Sequence, residues 1–188
     1  MPESPSTPFL TSDRLALFPD STRVRNDSLF IAGHDIASLA DHYLTPLYIY
    51  DRATLDACVV EYKSALRAYY PGPSHITYAG KAFLCKSIAE WTQRHDLFVD
   101  CTGETEIEIA KAGNVPKENI LVHGVNKSMA DLNSALQNAG TIVVDNLTEL
   151  LQLHVILSGA KNLWRNEQDS SIVSPEAPLS QGDIKLWL

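Results

Sequence analysis

The sequence has no run of eighteen apolar residues and no basic start leading into an apolar stretch, so nothing reads as a membrane span or a secretory leader, and the cytoplasm is the expected compartment. Cysteine is scarce: Cys58, Cys85 and Cys101 are an odd count, widely spaced and without a C-x-x-C pair, which offers neither a disulfide framework nor a zinc site. His34, His42, His75, His95 and His154 show no metal-ligand spacing either, so no metal is expected. Clusters of Lys and Arg are missing; with 23 acidic against 15 basic side chains the net charge is -8, which argues against nucleic acid as a partner. The nine glycines never form G-x-G, so the dinucleotide fingerprint of a doubly wound sheet is absent. What is present is an ordinary composition, 45% apolar and 20% charged over 188 residues, enough for a packed core.

Residues 1–13 are rich in Pro, Ser and Thr, lack periodicity and read as a mobile tail. Over 14–50 short apolar pieces alternate with turn formers such as Pro19-Asp20 and Gly33-His34-Asp35, which predicts a hairpin-like extension, a short helix over 36–43 and a β-prone lead-in at Leu47-Tyr48-Ile49-Tyr50. Asp51 then stands as the N-cap of a helix with Leu55, Val59, Tyr62, Leu66 and Tyr69 on one face, closed by Pro71-Gly72-Pro73.

From residue 76 onward the pattern repeats: apolar run, polar or glycine turn, amphipathic helix. Strands are expected from Ile76, Leu97, Ile120 and Thr141, and helices over 85–95, 104–112, 129–138 and 147–157. Gly113 and Gly140 are expected at C′ positions, and Ser128 and Asn146 at N-caps, the latter with Glu149 placed for a capping box. Strands buried on both faces and alternating with helices imply parallel pairing and an α/β class. Equal consecutive units favour a (β/α)8 barrel, of which four units fit. A fifth strand follows a polar insertion over 166–181 and stops at Leu188, so the expected architecture is an incomplete barrel over 51–188, part of a longer polypeptide.

The sharpest local feature is Tyr78-Ala79-Gly80-Lys81-Ala82-Phe83, a lysine at the C-terminal end of the first barrel strand, where this fold class builds active sites. A lysine sunk into a barrel mouth loses hydration, which favours the neutral amine and Schiff-base chemistry with a carbonyl. The same position also suits a surface lysine that merely closes a strand or pairs with a carboxylate.

Thr45-Pro46-Leu47-Tyr48-Ile49-Tyr50-Asp51, Tyr78-Ala79-Gly80-Lys81-Ala82, His123-Gly124-Val125-Asn126-Lys127-Ser128 and Val143-Val144-Asp145 followed by Glu149-Leu150 together resemble the diaminopimelate decarboxylase family, within the alanine-racemase-like pyridoxal-phosphate enzymes. The motifs run in order from about residue 15 to 157. The resemblance implies pyridoxal 5'-phosphate as cofactor, held by Lys81 as a Schiff base, and decarboxylation of an amino acid, in this family meso-diaminopimelate to L-lysine. It also places Asp100 and Glu106 near the cofactor by their six-residue spacing. The family's S-G-G-E is not preserved here, Glu104 is an alternative to Glu106, and both carboxylates also read as simple helix-start caps. His123 would line the pocket, or stand as a strand-end histidine satisfied by backbone; Asn126 and Lys127 shape their loop.

In such enzymes the phosphate-gripping glycine loop, the acid facing the pyridine nitrogen, the substrate-binding arginines and a partner subunit's cysteine come from segments that would lie beyond Leu188. The resemblance therefore implies a homodimer with composite sites for the complete protein, and an isolated chain that is unstable and inactive, because an open set of strands exposes an edge and half its inner face. Ornithine, arginine or carboxynorspermidine decarboxylases share much of the pattern, and a truncated homologue without catalysis is the non-enzyme alternative.

Overall fold

The computed structural model describes residues 12–158 and 185–187. The expected tail over 1–11 and the insertion over 166–181 lie outside them; Ser12 and Asp13 open a short helix, α1 (Ser12–Leu15), rather than ending a tail. The chain forms two compact units that divide between Ser74 and His75.

The first unit carries a three-stranded antiparallel meander, β1 (Arg23–Arg25), β2 (Ser28–Ile31) and β3 (His34–Asp35). Its two turns are two-residue connections with both residues at positive φ, Asn26-Asp27 (49° and 58°) and Ala32-Gly33 (50° and 83°), the combination that matches strand twist in tight hairpins. The second turn thus comes one residue earlier than the composition suggests, and His34-Asp35 pairs as a strand. Asp35 then caps α2 (Ile36–Tyr43), accepting from the Ala37 N–H at 2.9 Å.

Leu47–Tyr50, expected as a strand, joins no sheet among the described residues. Its alternation survives as exposure alone, with Leu47 and Ile49 half-buried between exposed Tyr48 and Tyr50. Asp51 caps α3 (Arg52–Tyr69): its carboxylate accepts from the Ala53 N–H at 3.3 Å and the Thr54 hydroxyl at 2.6 Å, and Ser21 donates to it from 2.8 Å. Of the expected apolar face of α3 only Val59 is buried, while Tyr62 and Tyr69 are 65% and 88% exposed.

The second unit is a five-stranded parallel sheet in strict sequence order: β4 (Thr77–Ala79), β5 (Phe98–Cys101), β6 (Ile120–Val122), β7 (Thr141–Val143) and β8 (Lys185–Trp187). An order without reversal is that of a barrel wall, whereas a doubly wound sheet turns back at a switch point. The connections carry α4 (Lys86–Arg94), α5 (Glu104–Ala112), α6 (Met129–Asn138) and α7 (Leu147–Ser158). Register pairs Val99 with Ile120 and Cys101 with Val122, and Val122 with Ile142, so one face of the sheet presents a continuous apolar surface to Ala89, Ile107, Ala110, Leu132, Ala135 and Leu153 of the helices.

The opposite face differs from the expectation of strands buried on both sides. Phe98, Asp100, Leu121 and Val143 are only half-buried, because no wall faces them among the described residues. Gly113 is also used differently: it is the C-cap of α5 with φ -86°, the left-handed residue being Asn114, and it is small because a Cβ there would run into the Ala89 side chain. No helix of the described residues is long and apolar enough to cross a membrane.

Candidate active site at the strand ends

Side chains on the half-buried face rise toward the C-terminal ends of the parallel strands. Lys81 lies in the single 3-10 turn Gly80–Ala82 that leaves β4, and its side chain is exposed. The expected loss of hydration is thus not seen, since the open sheet leaves this face without a lid among the described residues. Gly80 packs this turn onto β5: a Cβ would stand 2.6 Å from the Asp100 carbonyl oxygen and 3.4 Å from Glu106 Oε2. Tyr78 ties the turn further along, donating its hydroxyl to the Phe83 carbonyl at 2.6 Å.

Asp100 sits at the centre. Its Oδ1 is buried with no hydrogen-bond partner among the described residues. Burial pushes its carboxyl above the usual range, against the attraction of His123 and Lys81 and with repulsion from Glu106. Lys81, Glu106 and His123, the other three residues singled out in the sequence, therefore each lie within electrostatic reach of Asp100. Glu106 is partly committed, because its Oε2 accepts from the Thr102 N–H at 2.7 Å and closes the start of α5. Glu104 is exposed and turns to the groove between α5 and α6, beside Glu108, Lys111 and Asn133. The neighbouring Cys101 thiol faces the helices, where burial and then the adjacent Glu106 and Asp100 charges push it up to about 12.

His123 follows β6, its N–H extending the ladder to the Cys101 carbonyl at 2.9 Å. Its Nε2 lies 3.8 Å from Asp145 Oδ1, and the ring is 52% exposed. Gly124 beside it admits no side chain, because a Cβ would overlap the Thr102 carbonyl oxygen.

Lys127, expected to shape its loop, does more than that in the structure. Its side chain is fully buried, with Nζ 2.9 Å from Glu149 Oε2 and 3.6 Å from Asp145 Oδ2, and it donates to the Gly124 carbonyl at 2.5 Å. Glu149 also accepts from the backbone N–H groups of Lys127 (3.2 Å) and Asp145 (3.1 Å). Burial alone would raise the Glu149 carboxyl, but these bonds, led by the one from the Lys127 side chain, hold it below the usual range. The expected capping box at α7 is accordingly half made: Asn146 accepts from the Glu149 N–H at 3.0 Å, while the Glu149 carboxylate is taken by Lys127. A lysine in an otherwise polar loop gives no signal of burial; its best clue is that a buried lysine needs a carboxylate, and Asp145 and Glu149 are the acids opening the next unit.

Asp131 completes the frame. At N3 of α6 it forms a capping box with Ser128, and its Oδ1 accepts from the Glu104 N–H at 2.8 Å, so one carboxylate closes the starts of α6 and α5.

Comparison with known proteins bears on this geometry. The family model described as "Pyridoxal-dependent decarboxylase, pyridoxal binding domain" matches residues 55–180. The diaminopimelate decarboxylase of Corynebacterium efficiens is 34% identical over 141 residues, covering 74% of this chain and 30% of the relative. That of Bacillus subtilis is 34% identical over 134 residues, covering 71% and 30%. Among solved structures, diaminopimelate decarboxylase from M. jannaschii superposes with TM-score 0.68 at 25% identity, covering 75% of this chain and 33% of that one. The Helicobacter pylori enzyme complexed with L-lysine gives 0.57 at 29% identity, covering 66% and 31%. The chain thus spans about 30% of the length of the curated relatives it matches.

Proposed function

This chain belongs to the pyridoxal-dependent decarboxylases through its pyridoxal binding domain, and on that premise we propose that the complete protein is a carboxy-lyase that converts meso-2,6-diaminopimelate to L-lysine and carbon dioxide. The observation that carries this reading is Lys81 at the C-terminal end of the first parallel strand, acting together with Glu106 and His123 on the Asp100 carboxyl. The substrate follows from the relatives, whose shared name is diaminopimelate decarboxylase.

The residues present suit pyridoxal phosphate. A solvent-reachable amine at Lys81 and, beside it in the fold, a buried carboxylate oxygen at Asp100 with no hydrogen-bond partner among the described residues are what an aromatic aldehyde with a cationic ring needs around it. When bound, that cofactor supplies a ring that takes up the electron pair left as carbon dioxide departs. The chain's own residues do the rest. Lys81 would hold the cofactor by its amine and carry a proton once displaced. Asp100 and Glu106 supply negative charge that favours a cationic group beside them, and His123 offers a flat ring at the rim. Overall the substrate loses one carboxylate and gains one proton at the same carbon.

A cytoplasmic homodimer with composite sites accompanies this reading, and the free thiols of Cys58, Cys85 and Cys101 are consistent with a reducing compartment. The division into a lead-in over 14–50 and a barrel portion from 51 draws support from the family match beginning at residue 55. Borohydride reduction of the complete protein with pyridoxal phosphate, followed by peptide mapping, is expected to label Lys81; label on another lysine overturns the assignment. Carbon dioxide released from meso-diaminopimelate but not from ornithine is the expected substrate result.

A further inference from the structure

The loop that carries His123 is stitched to the next βα unit by charges that the proposed reaction does not itself use. Lys127, in that loop, has a side chain with no solvent exposure and reaches three acceptors: the Gly124 carbonyl in its own loop at 2.5 Å, Asp145 at 3.6 Å and Glu149 at 2.9 Å. Glu149 returns two bonds, from the Lys127 and Asp145 N–H groups, so the backbone on both sides of the pair is held. The remaining oxygen of Asp145 faces His123 Nε2 at 3.8 Å. A buried lysine is costly unless paired, and here two anions meet one cation. The surplus negative charge lies on Asp145, the acid nearer solvent and nearer the imidazole, its side chain 24% exposed against 3% for Glu149.

We propose that Asp145, anchored by the buried Lys127–Glu149 pair, is a positioning residue that orients the imidazole of His123 at the rim of the site. The other charges near the ring are Asp100 on β5 and, around Asp100, Lys81 and Glu106; Lys127 reaches it only across Asp145. Among the described residues Asp145 is the one carboxylate at ion-pair distance from His123, and its fixed place gives the ring a constant partner on the side away from Lys81's strand.

The role rests on the reading of His123 as a site residue, but its test does not depend on turnover. In the complete, cofactor-loaded protein without substrate, NMR relaxation of isotope-labelled histidine, assigned with a His123→Gln variant, reads how firmly the ring is held. Asp145→Asn is expected to loosen the His123 ring and lower the order parameter of its C–H vectors. In a Lys127→Met/Glu149→Leu background, which leaves no buried charge alone, the same Asp145→Asn exchange is expected to lower the order parameter less than half as far. An unchanged order parameter in the first comparison, or equal drops in both backgrounds, overturns the proposal. Either outcome leaves the labelling of Lys81 intact and so is distinguishable from failure of the decarboxylase reading.

Discussion

The Lys127 ammonium lies 2.9 Å from the Glu149 carboxylate, with side chains 0% and 3% exposed, although 22 residues separate them. Removing one partner strands a charge that burial penalises. Lys127→Met alone is expected to destabilise the complete protein by about 3–5 kcal/mol, and the paired Lys127→Met/Glu149→Leu exchange to recover most of that loss. Urea unfolding of the two variants beside the parent checks it; a single variant as stable as the parent would show that the pair is not structurally required.

Asp131 closes two helices at once, so Asp131→Ala is expected to cost about 2 kcal/mol, more than an ordinary single cap. Its carboxyl is held below the usual carboxylate range, first by the Ser128 hydroxyl, against burial, with help from the Glu104 and Ser128 N–H groups and Lys127. A carboxyl lowered on folding contributes stability that is present above the unfolded value and fades as pH falls through the folded one. The gap between parent and Asp131→Ala should therefore be full at pH 7 and shrink below about pH 4, as thermal unfolding across pH will show.

Asp100 works in the opposite sense. Its carboxyl is raised, mainly by burial, so the folded state keeps the proton that the unfolded chain releases above about 3.8. Stability from this group is fully present below that value and is lost as pH rises through the folded one. Asp100→Asn is expected to be more stable than the parent at pH 7 and equal to it in acid, while binding pyridoxal phosphate more weakly. Equal stability at both pH values would remove Asp100 from the list of strained site residues.

Cysteine labelling separates the thiols by environment. With its thiol pushed up to about 12 and the residue 0% exposed, Cys101 holds on the order of one thiolate in ten thousand at pH 8. Exposed Cys58 is expected to react with iodoacetamide in the native protein and Cys101 only after denaturation. Mass mapping of alkylated peptides gives the answer, and rapid native labelling of Cys101 would mean that β5 does not face the helices.

Much of the barrel wall was legible because its signals are local. The apolar runs at 98–101, 120–122 and 141–143 are too short and too evenly spaced to be anything but strands between helices, and caps such as Asp51 and Ser128 announce themselves by residue type. Lys81, Asp100, Glu106 and His123 are candidates through motif order, and each stands near a strand end or an early helical turn. Leu47–Tyr50 misled because β-propensity describes a willingness to extend, while a strand also needs a neighbour to bond. Glu149 misled in a related way: its spacing from Asn146 suits a capping box, but Lys127 is the stronger partner.

By itself the sequence determined the periodicities, the turn residues and the chemistry available at each strand end, because these depend on neighbours a few residues away. Only the tertiary structure decided which charges meet. Whether Lys127 is buried, whether Glu149 serves it or its own helix, and whether Asp100 is left without a partner are outcomes of desolvation and distance between segments about twenty or more residues apart, and those terms exist only once the sheet has brought the loops together.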